Sequence, residues 1–317
     1  MTVLKPDPWD PGYGAGAEAP FDDDGARVLV NPDVETADWS TPIEPRPCPD
    51  EALTFVDGVM RIDLRVWASD GDRQTWGLMG SFGAAGVRCD GSAAFIGFDE
   101  PIGRALILGG RLTSEPLEVT VGRSRIVYHP RSIAADDNAS LRIALQRLMI
   151  EAEQRTAMRL ATDGLVIADG PLHLNSGADL AIVGVVKRMV TFYLEDEHAA
   201  LLPRLVPGQR TPIFAIGNAV LDRLAWYQRL QPANGLWHQL AGLVRCEVRL
   251  ELGLDVARRI ADRLACTLIR YAGRPGIDPR APQNLIPVGA LEGRLRHLLG
   301  HPTVIRRALQ TALAEAQ

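Results

Sequence analysis

Two apolar segments, LTFVDG and GLVIADGP, each run into an Asp-Gly pair, which puts Asp57 and Asp169 at the tips of strand-like stretches. An ionised carboxylate at the end of a buried strand is costly unless a bound cation, or hydrogen bonds from the following turn, compensates it. Hard cations such as Mg²⁺ and Mn²⁺ prefer oxygen ligands. A pair of them held roughly 3.5–4 Å apart can activate an attacking water and stabilise a leaving oxygen, which is the chemistry of phosphodiester hydrolysis. Asp-Gly is also ordinary turn chemistry after a strand. Either pair alone is therefore a weak signal, whereas the two together, separated by a long helix, make Asp57 and Asp169 the first candidates for metal ligands.

A third acid is expected from that helix, where Glu151 and Glu153 lie 18 and 16 residues before Asp169. The two point about 200° apart on a helix, so at most one faces the sheet edge. Glu151 is the preferred ligand and Glu153 the alternative; a solvated face pairing with Arg147 or Arg155 would account for either. The segment LAIVGVVK places Lys187 at the mouth of a strand expected beside Asp169. An ammonium there can bind a scissile or adjacent phosphate, although lysine also snorkels routinely from strand ends. Arg61 and Arg65 alternate with Ile62 and Leu64 and are candidates to line the same groove. Arg294 and Arg296, in a basic cluster with His297, His301, Arg306 and Arg307, offer phosphate contacts, and Trp226 with Tyr227 offers stacking for unpaired bases.

The elements that must position these residues can be read from hydrophobic period. Residues 1 to about 50 are rich in Pro, Asp and Gly with no sustained period, which predicts an extended arm or partner-binding tail. Regular structure is expected from Leu53, with RIDLRVWA and WGLMGSFGAAGVRC completing an antiparallel meander and shorter strands near 105–109, 117–121 and 125–128. From Asp137 the period becomes helical, with Leu141, Leu145, Leu148 and Ala152 in register and Asp137, Asn138 or Ser140 available as cap. Strands at LVIADG and IVGVVK follow, then strand-like IFAIGN, RLAWYQRL and LVRCEVRLEL, and helices near 255–270, 288–299 and 302–315. Three strands, a long helix and an acid-tipped strand in that order fit an α/β fold with a ribonuclease H-like mixed sheet flanked by helices, occupying 51–317 with additional strands and C-terminal helices.

Composition narrows the alternatives. The chain of 317 residues is 46% hydrophobic and 23% charged, and its apolar runs are too short to span a bilayer. Its first residues lack the apolar segment of a secretory signal, so the expected location is cytoplasmic. The four cysteines, Cys48, Cys89, Cys246 and Cys266, form no CxxC pair, which argues against a zinc knuckle or a disulfide framework. No GxxxxGK[ST], GxSxG or HExxH pattern occurs, so neither ATP hydrolysis nor those hydrolase chemistries is expected. A net charge of −5 is unusual for a nucleic-acid enzyme, but many acids crowd the first fifty positions while the C-terminal part is basic.

TFVDGVMRIDLRVW, the helix with LMIEAE, LVIADGPL, IVGVVK and APQNLIPVGALEGRLRHLLG together resemble, in that order, the NurA nuclease domain family, especially its bacterial members. The resemblance covers roughly residues 50 to 310. It implies a ribonuclease H-like fold, a homodimer, Mn²⁺- or Mg²⁺-dependent single-strand endonuclease and 5′-to-3′ exonuclease activity on DNA, and work with a hexameric HerA-type ATPase translocase in end processing, repair or phage defence. By position Asp57, Glu151 and Asp169 match the family's metal-binding acids and Lys187 the lysine of its G-x-x-K strand. The sequence departs from the archaeal pattern near its end, where a Tyr-Pro followed by an Ala-His is expected and Ile286-Pro287 stands instead. His297 is then the candidate for the last ligand or proton-transfer group, and Glu292 its rival. The changed motif keeps open a non-catalytic alternative, an adaptor that guides DNA for a ring ATPase.

Overall fold

The computed structural model describes residues 2–6, 28–46, 51–99, 101–172, 180–187, 189, 192–218, 220, 222–232, 238–274 and 284–315. Alternating apolar residues do not stop at the first Asp-Gly: the chain stays extended from Leu53 to Asp70, eighteen residues, with Asp57 and Gly58 in the strand's interior. It turns through Gly71, at φ +60, and returns as an equally long partner, Arg73–Asp90. In chain order the strands are β1 (Val3–Pro6), β2 (Leu29–Asn31), β3 (Leu53–Asp70), β4 (Arg73–Asp90), β5 (Ser92–Ile96), β6 (Ile102–Leu108), β7 (Leu117–Val121) and β8 (Ser124–Ser132). After the helix α1 (Asn138–Leu160) come β9 (Val166–Asp169), β10 (Ile182–Val186), the short α2 (Asp196–Ala199), β11 (Phe214–Gly217), β12 (Arg223–Arg229) and β13 (Leu243–Arg249). Three helices close the described chain: α3 (Leu254–Thr267), α4 (Ile286–Leu298) and α5 (Pro302–Glu315).

Among the described residues all thirteen strands join one mixed sheet, ordered β2-β11-β12-β13-β10-β9-β3-β4-β6-β8-β7, with β1 added to β3 and β5 to β4. At its centre β3, β4 and β6 are an antiparallel meander. On the other side of β3, β9 and then β10 run parallel to it, reached through α1. The first fifty residues are not wholly an extended arm: β1 pairs with the far end of β3, β2 pairs with β11, and Trp39 is buried. Apolar Val3, Leu4 and Val30 supply the edge pairing that the Pro- and Asp-rich composition obscures.

Helices cover the two faces of the sheet, and a β-bulge lets β3 serve both. Phe55 and Val59 pack with α3 and α4, whereas Val56 packs with α1. Beyond a register shift between Ile62 and Leu64 the parity changes, so that Leu64 and Val66 meet α5. An extra residue reverses which side chains face which way; that residue, Asp63, is buried. Its carboxylate accepts hydrogen bonds from Arg61 Nε at 2.7 Å, Tyr128 Oη at 2.8 Å and the Ser81 hydroxyl. The start of α1 is local: Asp137 caps it by accepting the Ser140 N–H at 2.8 Å, satisfying a donor with no intrahelical partner.

Candidate metal centre

Parallel pairing of β3 with β9 puts Val56 opposite Ala168, so the next residues, Asp57 and Asp169, stand side by side on one face. β10 continues the ladder with Val185 opposite Asp169, and Lys187, two residues on, turns its ammonium to within 2.6 Å of Asp169 Oδ2. Lys187 also donates to Asn284 Oδ1 at 3.2 Å, a buried residue just ahead of α4. From α4 comes Glu292. One oxygen each from Asp57, Asp169 and Glu292 lie within 4.8 Å of one another.

A fourth carboxylate approaches from the opposite face. Glu153 of α1 lies over Gly58, where an added Cβ would sit 2.7 Å from Glu153 Oε1 and 2.8 Å from its Cγ. Gly58 is therefore no turn residue; its missing side chain is the gap through which Glu153 reaches the sheet. The second Asp-Gly does make a turn, with Gly170 at φ +106. That turn is pinned where Leu172 N–H donates at 3.2 Å to the buried Glu247. Burial alone would raise the Glu247 carboxyl, but Arg245 and Arg223 outweigh it and hold it below its ordinary value.

Two of the four acids, Asp57 and Glu153, are in electrostatically unfavourable positions as they stand. Asp57 is only 6% exposed, and burial, followed by Asp169, Glu153 and Glu292, pushes its carboxyl well above the ordinary value despite Lys187 nearby. Burial and then Asp169 push Glu153 up to about 8, against a hydrogen bond from the Gly58 backbone. Asp57 Oδ2 and Asp169 Oδ1 are buried with no hydrogen-bond partner. Leaving such an acceptor unsatisfied costs about 1–3 kcal/mol, more when charged. Three converging carboxylates, two of which carry an orphaned oxygen, are the donor set that a hard divalent cation takes up, and a cation would offset the repulsion among them. The residues fit Mg²⁺ or Mn²⁺, with Asp57, Asp169 and Glu292 as one ligand group and Glu153 beside it.

The other residues singled out in the sequence fall elsewhere. Glu151 is exposed and forms only a loose i,i+4 pair with Arg155, at 3.9 Å; the face of α1 turned to the sheet carries Glu153 instead. His297 is exposed on α4, five residues and about 140° around the helix from Glu292, so Glu292 takes the inward position. Arg61 does not line a groove: it donates to the Gly300 and Leu299 carbonyls, at 2.6 and 3.1 Å, closing the C-terminal end of α4. Arg65 donates to Asn138 Oδ1 at 2.5 Å. Trp226 and Tyr227 are fully buried, the first in the core beneath α3 and the second stacked on Phe214, so neither can stack a base. Arg294 and Arg296 are exposed on α4, and Arg296 pairs with Glu292 at 3.3 Å. Asn284, Glu247 and the role of Gly58 escaped sequence reasoning; a glycine directly after an acid within a continuing apolar alternation was the available signal.

No protein-family model matches the sequence, and no curated protein does. Among solved structures, the NurA nuclease from Sulfolobus solfataricus aligns over 87% of this chain and 88% of its own, at 11% sequence identity and a TM-score of 0.46. No helix among the described residues is long and apolar enough to cross a membrane.

Proposed function

We propose that this chain is a divalent-metal-dependent phosphodiester hydrolase acting on DNA, with Asp57, Asp169, Glu292 and Glu153 holding the ions. One observation carries the reading: Asp57 and Asp169, on adjacent parallel strands and each with a buried carboxylate oxygen lacking a hydrogen-bond partner, bring one oxygen each to within 4.8 Å of one from Glu292. Support for a ribonuclease H-like core comes from the strand order β6-β4-β3-β9-β10, an antiparallel meander followed through α1 by two parallel strands.

A bound Mg²⁺ or Mn²⁺ would supply a water acidic enough to attack at neutral pH and charge to offset that developing on phosphorus oxygens. The chain's own residues do the positioning. Lys187 holds Asp169 in place through its 2.6 Å ion pair, and its positive charge sits where a phosphate reaching the acids would be drawn. Arg61, by closing the end of α4, fixes the helix that presents Glu292. The buried strands exclude water from the backs of the carboxylates, which strengthens their hold on a cation. On the same reading the working form is a homodimer fed by a hexameric HerA-type ATPase in DNA end processing; the sequence resemblance is what supports these extensions.

The test compares wild type with Asp57→Asn and Asp169→Asn on end-labelled single- and double-stranded DNA in Mn²⁺, Mg²⁺ or chelator. Wild type should degrade DNA only with metal, and both variants should fall to background. Wild type inactive with every metal, with the ATPase present, would overturn the hydrolase in favour of a DNA-guiding adaptor.

A further inference from the structure

The helix α1 carries an apolar stripe, from Met149 and Ile150 to Ala157, of which only the Ala157 end is packed into the sheet. Leu141, Leu145 and Leu148 face β4 and β6. Around the helix from them Met149, Ile150 and Ala157 line a cleft whose far wall is Pro171, Leu172 and Ile182. Met149 and Ile150 are only half buried, so the stripe is open to a ligand rather than sealed into the core. The cleft has a volume of about 260 Å³, below the roughly 300–1,000 Å³ of pockets for drug-sized ligands. One end is formed by Asp57, Glu153 and Asp169, and the amides of Gln146 and Gln154 also line it.

An apolar slot sized for one ring system, one end of which is walled by three of the acids proposed to hold the ions, calls for a ligand with a flat apolar part tethered to a phosphate. Inorganic phosphate or a sugar-phosphate would leave the apolar walls uncovered. We infer that the cleft between α1 and the turn after β9 is a nucleobase slot, holding the base of a nucleotide that flanks the scissile phosphodiester. The inference rests on the hydrolase reading above and adds to it what the substrate must be: a strand whose base can leave its stack and its pair. The Gln146 amide can donate to and accept from a base edge, so the slot tolerates any base.

The test uses the full chain with Mn²⁺ and a labelled single-stranded oligonucleotide, either intact or carrying one abasic residue at a defined position. In wild type, cleavage at one bond flanking the abasic residue should slow by about 5- to 100-fold, the loss that removing one base contact gives. Ile150→Trp, which fills the slot, should cut both strands at the same slow rate while binding Mn²⁺ as wild type does by calorimetry. Met149→Trp fills it from the neighbouring turn and serves if the first variant does not fold by circular dichroism. Equal cleavage of intact and abasic strands by wild type overturns the slot, as does a filled variant that still discriminates. A fall in solution mass on filling the cleft would show it to be an interface between copies of the chain and also overturns the slot. Cleavage of neither strand by wild type is the distinct failure of the hydrolase reading itself.

Discussion

Replacing Glu153 by Gln should make the metal-free protein more stable, and the gain should depend on pH in a defined direction. Glu153 rises from 4.5 to about 8 in the folded chain, chiefly through burial and then through Asp169. At about 1.4 kcal/mol per pH unit, this corresponds to about 5 kcal/mol against folding once the carboxylate must be charged. Solvent reaching the partly exposed group screens part of it, leaving about 2–4 kcal/mol. Because the folded pKa is the higher one, the folded protein keeps a proton that the unfolded chain has released between 4.5 and about 8, so stability falls as pH rises through that window and levels off above it. Glutamine cannot ionise and still accepts from the Gly58 backbone. The two proteins should therefore be equally stable near the low end of the window, and the variant should lead by the full amount above its upper end. Urea denaturation in chelator across the window reads this directly. Saturating Mn²⁺ should narrow the gap, since a tenfold difference in affinity is worth about 1.4 kcal/mol once both proteins are saturated. Parallel pH profiles for the two proteins in chelator would refute the reasoning, and so would a wild type that Mn²⁺ does not stabilise.

Gly58→Ala should displace Glu153, because the new methyl would stand 2.7 Å from its Oε1; about tenfold weaker Mn²⁺ binding by calorimetry, with the fold retained by circular dichroism, is the expected result. Trp226→Ala should cost about 3–5 kcal/mol in urea denaturation, as truncation of a fully buried aromatic does, and should not weaken DNA binding at temperatures where the variant is folded. Arg210 pairs with Glu35 and Asp262, both at 2.8 Å. Burial would raise Glu35, but Arg210, the Ile213 N–H and Arg258 together more than offset it and the carboxyl lies below its ordinary value. This contribution is complete above pH 4.5 and is lost as pH falls through the lower folded value. Arg210→Met should therefore cost about 3–5 kcal/mol near neutral pH and progressively less in acid, measured by thermal unfolding.

Much of this protein can be read from short stretches of its sequence, because those features depend on neighbours along the chain. The period of α1, its Asp137 cap and the acid-tipped strand Val166–Asp169 need only local geometry, whereas Asp57, expected at a strand tip, lies inside an eighteen-residue strand. Other features were decided across distances that no local pattern encodes. The parallel register of β3 on β9 brings Asp57 to Asp169. Gly58 looks like a turn residue until α1 lies over it, and only then does the rotation of that helix select Glu153 over Glu151. Packing of α4 on the sheet turns Glu292 inward and leaves His297 outside. Trp226 and Tyr227 sit in a strand whose two faces are both covered, and a sequence window cannot count the layers above and below a strand. The sequence by itself determined which residue types were available for a cation. Tertiary structure decided which of them converge, because that depends on the packing of elements far apart in the chain.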